Sequence, residues 1–271
     1  SALAKALIRN GIAVVDGGIS SELFYWECHR THTVKPPPKN YRRNPYCATD
    51  ENPRVSSQSV VLADVAKLLS QDANRSYVAG YWVLDDWPWW DNGSARGLLQ
   101  SIHAEIARTT PDNPAICGFG AGIGNGRRYY WDPGTGQNFS NGGCDAVAWY
   151  VYTPFGLTHP SSGKGYNWSM KGLLQAMTRS LARYGWQIAQ TPLVGIGQAW
   201  SGWYGARSYQ PGLSRQQMQT QAAAFCSFGA QSIAWYAWDD SGFVKGTQTP
   251  NDSSEIAAGI ADGIAACRQT W

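Results

Sequence analysis

The feature that most constrains this fold is a repeated alternation between amphipathic helical patterns and short, almost continuously apolar runs. The runs predict six strands, over residues 11–16, 77–86, 115–121, 144–152, 192–200 and 231–238. Helical patterns accompany them over residues 2–10, 59–71, 96–108, 170–184, 214–228 and 254–267. Strands that are apolar on both faces and alternate with helices are typical of a parallel sheet covered by helices.

The predicted fold class is therefore α/β, and the predicted architecture is a (β/α)8 barrel of the TIM type. A complete barrel needs eight strands, so the pattern leaves three alternatives. A strand is hidden within residues 20–57, the barrel is incomplete or irregular at its N-terminal strands, or the sheet is open. Neither a linker nor an internal repeat divides the 271 residues. We predict one domain, with long loops at residues 19–57 and 122–143.

The six cysteines are widely spaced and contain no CxxC pair. An even number of isolated cysteines favours disulfides and an oxidising compartment, although six thiols in a cytosolic protein are the alternative. The preferred pairing is Cys28–Cys47, Cys117–Cys144 and Cys226–Cys267. We predict an extracellular protein that begins at Ser1 as a mature or trimmed chain would. Potential glycosylation sequons at Asn74, Asn92, Asn138, Asn167 and Asn251 are compatible with that location.

Charge and hydropathy narrow the range of partners. The net charge is +3 and the basic residues are scattered, whereas a nucleic-acid-binding surface needs a concentrated basic face. An apolar run of about 18 residues, the minimum for a membrane-spanning helix, does not occur. We therefore expect a monomer with no nucleic acid and no membrane among its partners.

Aromatic residues are unusually abundant, with 14 Trp, 14 Tyr and seven Phe. An indole offers a flat apolar face with one donor at its edge, a surface that suits the C–H face of a sugar ring. The alternative is that these rings simply fill a wide barrel. The candidate substrate-binding residues at predicted strand ends are Trp87, Trp89, Trp90, Tyr152, Gln198, Trp200 and Trp238.

Acidic residues recur at the carboxyl ends of the predicted strands, where barrel enzymes carry their catalytic groups. The candidate catalytic residues are Asp86, Asp85, Asp239, Asp240, Asp16 and Glu22. Asp85 and Asp86 are neighbours on one strand and point to opposite faces, so the partner of Asp86 is expected from another strand end. Turns are the structural alternative for Asp16, which precedes two glycines, and for the Asp-Asp-Ser-Gly sequence at residues 239–242.

The sequence lacks the motifs that are typical of other enzyme classes. In the Gly-rich segment 118–126, Ile123 occupies the position of the third glycine of a dinucleotide-binding loop. No GxSxG nucleophile motif occurs. Glu27, His29 and His32 surround Cys28, but a disulfide at Cys28 would prevent metal binding. We predict no metal and no organic cofactor.

The segment SYVAGYWVLDDWP at residues 76–88 resembles the GYYLYDEP strand of glycoside-hydrolase-like TIM barrels. That resemblance implies a fourth strand ending in the acid/base carboxylate, with Asp85 in place of the Asp and Asp86 in place of the Glu. The segments PLVGIGQAW and SIAWYAWDD are similar to the seventh and eighth strands of such barrels. The resemblance does not extend to one specific family.

The predicted function is a secreted glycoside hydrolase that cleaves a polysaccharide by carboxylate general acid/base chemistry. The alternative from a different class is a non-catalytic carbohydrate-binding barrel. An enzyme of other chemistry on the same fold is a third reading.

Overall fold

A computed structural model describes residues 2–33, 57–85, 93, 95–124, 128–131, 138–151, 170–204, 208–238 and 243–270. Its helices are α1 (Ala2–Arg9), α2 (Gly18–Thr33), α3 (Gln58–Asp72), α4 (Arg96–Thr109), α5 (Met170–Ala182), α6 (Arg215–Ser227) and α7 (Ser254–Arg268). Its strands are β1 (Val14–Asp16), β2 (Val78–Leu84), β3 (Ala115–Gly124), β4 (Arg128–Trp131), β5 (Ala146–Tyr150), β6 (Leu193–Gln198), β7 (Gly202–Tyr204), β8 (Ser208–Gln210) and β9 (Ala230–Tyr236).

The chain divides into two compact units. The first contains Ser1–Phe119, Pro133–Val147 and Tyr184–Trp186, and the second contains Gly120–Asp132, Ala148–Arg183 and Gln187–Trp271. The prediction of a single domain stays a prediction.

In the first unit the strands are hydrogen-bonded in the order β1-β2-β3. The β1–β2 and β2–β3 pairs are parallel, with Val14 opposite Val78 and Tyr81 opposite Ala115. Helix α2 packs against β2 and α3, and α3 packs against α4. The buried side chains of this unit come from both layers, as expected for strands covered by helices: Leu69, Leu84, Leu98, Leu99 and Phe119.

In the second unit the strand order is β5-β6-β9. Strands β6 and β9 are parallel from Leu193 opposite Ala230 to Gln198 opposite Tyr236. Helix α6 packs on α7 and also on β6 and β9. Ser214 caps α6 in a capping box with Gln217, and Ser253 caps α7 by accepting a hydrogen bond from the Ile256 backbone N–H. The α/β class with parallel strand pairs is confirmed, while a complete eight-stranded barrel stays a prediction.

Two of the predicted loops are partly wrong. Residues 18–33 form α2 rather than the beginning of a long loop. Residues 122–124 continue β3, which pairs antiparallel with β4 from Ala121 opposite Trp131 to Gly124 opposite Arg128. The pattern also missed the β7–β8 hairpin, in which Gly202 lies opposite Gln210. The hidden strand suggested within residues 20–57 is not found up to residue 33, and residues 34–56 lie outside the described part.

The disulfide prediction is confirmed for two pairs. Cys117 is bonded to Cys144 in the first unit, and Cys226 to Cys267 in the second. Cys28 is also disulfide-bonded, but Cys47, its predicted partner, lies outside the described residues. Disulfides that link a strand to a loop and one helix to another restrict the unfolded chain, and they are compatible with an extracellular location.

Candidate functional site

In the first unit, two predicted acids lie at the ends of β1 and β2, but at different heights along the strands. Asp16 lies opposite Tyr81 in the parallel register, whereas Asp85 follows β2 four residues beyond Tyr81. At about 3.3 Å per residue, that difference is roughly 13 Å along the strand direction. The register therefore does not make Asp16 and Asp85 a side-by-side pair of carboxylates.

Asp16 forms the turn between β1 and α2. Its Oδ1 atom accepts a 2.7 Å hydrogen bond from the Gly18 backbone N–H. A Cβ at Gly18 would lie 2.4 Å from Leu68 Cδ1 and 2.9 Å from Asp16 Oδ1, so this tight turn excludes a larger residue. The Asp-Gly-Gly sequence thus makes the turn that its residue types favour, with the Asp16 carboxylate partly exposed.

Glu22 lies in the second turn of α2. Its Oε2 atom is buried and has no hydrogen-bond partner among the described residues. Burial raises the pKa of the Glu22 carboxyl above its usual value, and the nearby negative charge of Asp64 in α3 raises it further. A carboxyl group that holds its proton more tightly is the type of group that a general acid requires.

Asp85 directly follows β2. Its Oδ1 atom accepts a 3.3 Å hydrogen bond from Trp82 Nε1, and its side chain is partly exposed. The bond joins a carboxylate at the end of β2 to an indole three residues earlier on the same strand. It holds the Asp85 carboxylate beside the carboxyl edge of the strand.

Most of the remaining predicted site residues lie outside the described part of the chain, and their placement is not described. These are Asp86, Trp87, Trp89, Trp90, Tyr152, Asp239 and Asp240.

In the second unit, aromatic rings gather at the carboxyl ends of β5, β6 and β9. We call Tyr150, Trp200, Tyr236 and Phe243 the aromatic cluster. The ring centroids are 6.1 Å apart for Tyr150–Tyr236, 6.3 Å for Tyr236–Phe243 and 5.2 Å for Trp200–Phe243. Such tilted and edge-on contacts are favourable for aromatic pairs. The cluster holds several rings in fixed positions at the edge where the site was predicted.

Trp238 follows the last residue of β9 by two positions and directly precedes the predicted acids Asp239 and Asp240. It is 61% exposed, whereas Trp200 in the aromatic cluster is 4% exposed. Burying an indole contributes strongly to folding, so an indole left largely in water adds little to stability. Trp238 therefore presents an apolar ring to solvent next to two carboxylates in the sequence.

Gln198, the last residue of β6, is buried and supports the adjacent backbone. Its Nε2 atom donates 2.9 Å hydrogen bonds to the carbonyl oxygens of Trp200 and Pro211. Both amide hydrogens are thus directed to backbone oxygens. These contacts make Gln198 a residue that orders the loop carrying Trp200.

Sequence reasoning missed Gln221, which is fully buried on α6 and hydrogen-bonded to the ends of both β5 and β6. One signal could have found it. Gly195 and Gly197 lie on the same face of β6, and glycines at such spacing in a strand mark a close approach of another element.

Within the described ranges, no group of three or more His, Cys, Asp or Glu side chains is arranged to hold a metal ion. No helix in the described part is both long and apolar enough to cross a membrane.

Comparison with known proteins gives similarity only at the level of structure. No protein-family model and no curated protein matches the sequence. Among solved structures, the chain is similar to the β-glucuronidase from Ruminococcus gnavus in complex with D-glucuronic acid, with a TM-score of 0.47 and 13% identity. That match covers 77% of this chain and 36% of the glucuronidase chain. The apo form and the complex with D-glucaro-d-lactam each match with a TM-score of 0.46, at 13% and 14% identity, over the same shares.

Proposed function

We propose that this protein is a secreted glycoside hydrolase that cleaves a polysaccharide. The observation that carries the proposal is the Trp238 indole, 61% exposed two residues beyond β9, in the unit where the aromatic cluster packs at the carboxyl ends of β5, β6 and β9. Sugar rings bind through their C–H faces to flat aromatic surfaces and through their hydroxyls to carboxylates and amides. Polar candidates accompany Trp238 in the sequence, in its neighbours Asp239 and Asp240.

The proposed chemistry uses two carboxylates. Asp86 acts as the general acid and gives its proton to the glycosidic oxygen as the bond from that oxygen to the anomeric carbon breaks. The second carboxylate comes from Asp16, Glu22, Asp239 or Asp240, and it either attacks the anomeric carbon or takes a proton from the attacking water. Asp85, held by Trp82, supports Asp86. The reaction as proposed needs neither a metal nor an organic cofactor.

The proposed substrate contacts follow from the same aromatic residues. Trp87, Trp89 and Trp90 stack on sugar rings next to Asp86. In the second unit, Tyr152, Trp200 and Trp238 are the proposed substrate contacts, and Gln198 orders the loop that carries Trp200. We expect the protein to act as a monomer, which sedimentation velocity of the purified chain would check.

A non-catalytic carbohydrate-binding protein is the second candidate. One observation favours it: the carboxylate of Asp16 is already engaged by the Gly18 N–H in a turn, as a purely structural acid would be. The aromatic surface would look the same in both proteins, and the two candidates differ in whether a bond is broken.

The experiment measures soluble sugar released from plant, fungal and bacterial wall polysaccharides by the wild type and by Asp86→Asn. Asp112→Asn, a change at an exposed residue of the same unit, is the matched control. We expect release by the wild type and the control, and a loss of at least a hundredfold in Asp86→Asn, since general acid catalysis contributes about 10²- to 10⁴-fold. Glycan binding without release by any variant would support the carbohydrate-binding protein instead.

A further inference from the structure

Two glycines allow α6 to lie unusually close to β6. A Cβ at Gly195 would lie 2.4 Å from the Phe225 ring. A Cβ at Gly197 would lie 2.7 Å from Gln221 Oε1 and 2.5 Å from the ring of Trp235. Side chains alternate between the faces of a strand, so both glycines face the helix. Their missing side chains make room for α6 side chains to reach the backbone of β6.

Gln221 occupies that room and bonds to two strands at once. Its Oε1 atom accepts a 3.1 Å hydrogen bond from the Gln198 backbone N–H at the end of β6. Its Nε2 atom donates a 2.8 Å hydrogen bond to the Val151 carbonyl oxygen, just beyond β5. Gln221 has no exposed surface. One helix side chain therefore accepts a hydrogen bond from the backbone at the end of β6 and donates one to the backbone at the end of β5.

This bridge lies where the proposed substrate contacts leave the sheet. Tyr150 ends β5, and Tyr152 follows Val151 directly. Gln198 extends the hydrogen-bond network, because its side-chain amide donates to the carbonyl oxygens of Trp200 and Pro211. The chain of contacts runs from Gln221 to the backbone of Gln198, and through the Gln198 side chain to the backbone of Trp200.

We infer that Gln221 is a positioning residue of the proposed site: it sets the spacing of the carboxyl ends of β5 and β6 and, through Gln198, the placement of Trp200. It does not touch the reacting atoms. This inference rests on the proposed function for its effect on turnover, but its structural part is testable without any activity.

The structural test is residue-resolved amide hydrogen exchange of Gln221→Met, in which the side chain keeps its length but loses both hydrogen bonds. Gln219→Met is the matched control, since Gln219 is exposed on the same helix. We expect exchange of the Gln198 amide to accelerate about tenfold or more in Gln221→Met alone. The Ala199 amide, bonded to the Tyr236 carbonyl oxygen, should keep its protection. Unchanged exchange at Gln198, or equal acceleration along all of β6, would overturn the inference.

Gln221→Glu supplies a second variant in case the methionine variant does not fold. A protonated glutamic acid reproduces both bonds, with its carbonyl accepting from Gln198 and its O–H donating to Val151, whereas the ionised form cannot donate. Both hydrogen bonds of residue 221, and with them the protection of the Gln198 amide, should therefore be recovered towards low pH and lost towards high pH. If protection of the Gln198 amide in Gln221→Glu, relative to wild type, does not change with pH, the positioning role of Gln221 is contradicted.

Turnover completes the test, on whichever polysaccharide the wild type degrades. We expect kcat/KM to fall about tenfold or more in Gln221→Met, with most of the loss in KM, because a displaced Trp200 contacts the substrate less well. Equal kcat/KM in Gln221→Met and Gln219→Met would refute a positioning role. If the wild type releases no sugar, the proposed function fails by itself, and the exchange data still decide whether Gln221 holds the two strand ends.

Discussion

Asp145 and Ala115 exchange two hydrogen bonds at the beginning of β3. The Ala115 N–H donates to Asp145 Oδ2 at 2.8 Å, and the Asp145 N–H donates to the Ala115 carbonyl oxygen at the same distance. The second carboxylate oxygen, Oδ1, lies 2.8 Å from His103 Nε2 on α4. A single aspartate therefore ties the beginning of β3, the chain entering β5 and a covering helix together.

The first prediction concerns this contact. Asp145→Ala should destabilise the protein by about 1 to 2 kcal/mol, because the Ala115 N–H loses its acceptor. The loss stays in this range because the Asp145 side chain is 44% exposed. His103→Ala removes one partner and leaves the bond to Ala115, so its loss should be smaller. Urea unfolding measures both, with Asp112→Ala as the exposed control. Equal stability of Asp145→Ala and the control would contradict the prediction.

The second prediction concerns pH and Glu22. Its pKa is raised above the ordinary value of 4.5 by burial and by Asp64. The folded protein then binds a proton more tightly than the unfolded chain, so stability falls as pH rises above about 4.5 towards the raised pKa. Glu22→Gln should therefore gain stability relative to wild type between pH 4 and pH 7, as measured by urea unfolding at both values. If the stability advantage of Glu22→Gln over wild type shrinks or reverses between pH 4 and pH 7, the Glu22 carboxylate is stabilised in the folded protein.

Asp64→Asn tests the cause of that pH dependence. Removing the neighbouring negative charge should lower the pKa of Glu22 and reduce, but not abolish, the stability lost on raising the pH, since burial remains. The same unfolding series run on this variant checks the prediction. An unaltered pH dependence would assign the whole effect to burial.

The third prediction concerns Trp238 as a sugar platform. Because the ring is 61% exposed, Trp238→Ala should leave the unfolding temperature nearly unchanged. It should weaken polysaccharide binding by about 1 to 2 kcal/mol, or roughly 5- to 30-fold in Kd. Ile8→Ala, which removes an exposed apolar side chain in the other unit, is the control. Calorimetric titration with the best-bound polysaccharide provides both affinities, and equal affinity in the two variants would remove Trp238 from the site.

The fourth prediction separates the glycosylation sequons. Asn138 is fully buried, and its Oδ1 atom accepts a 2.9 Å hydrogen bond from the Ala95 N–H before α4. Asn74 and Asn251 are exposed. When the protein is produced through a eukaryotic secretory pathway, glycans should appear at Asn74 and Asn251 and not at Asn138. Peptide mass spectrometry after glycosidase treatment checks each sequon, and a glycan on Asn138 of the folded protein would contradict the described packing.

Period and capping signals explain why most elements were predictable. Helix α3 was expected over residues 59–71 and occupies 58–72, with Ser57 accepting a hydrogen bond from the Val60 N–H. Strand β6 was expected over 192–200 and occupies 193–198. An apolar stripe or run reports directly on which side of an element is buried, and a serine before a helix satisfies an otherwise unpaired backbone N–H.

The sequence pattern missed helix α2 because this helix is buried on more than one face. Leu23, Trp26 and Cys28 are buried, while Phe24 and Tyr25 between them are partly buried. Apolar residues on several sides of a helix produce no stripe with a period of 3.6. The position of α2 against β2 and α3 supplies the cover that the sequence pattern could not indicate.

The sequence by itself determined the alternation of strands and helices and the α/β class, because spacing along the chain carries that information. It only favoured one pairing of the six cysteines, of which Cys117–Cys144 and Cys226–Cys267 are present. It also identified candidate acids and rings, but not which of them meet. Tertiary structure alone decided that Asn138 is enclosed and that Gln221 bridges two strand ends. Those outcomes depend on strand register and on the distance between a helix and a sheet, and residues far apart in the chain set both.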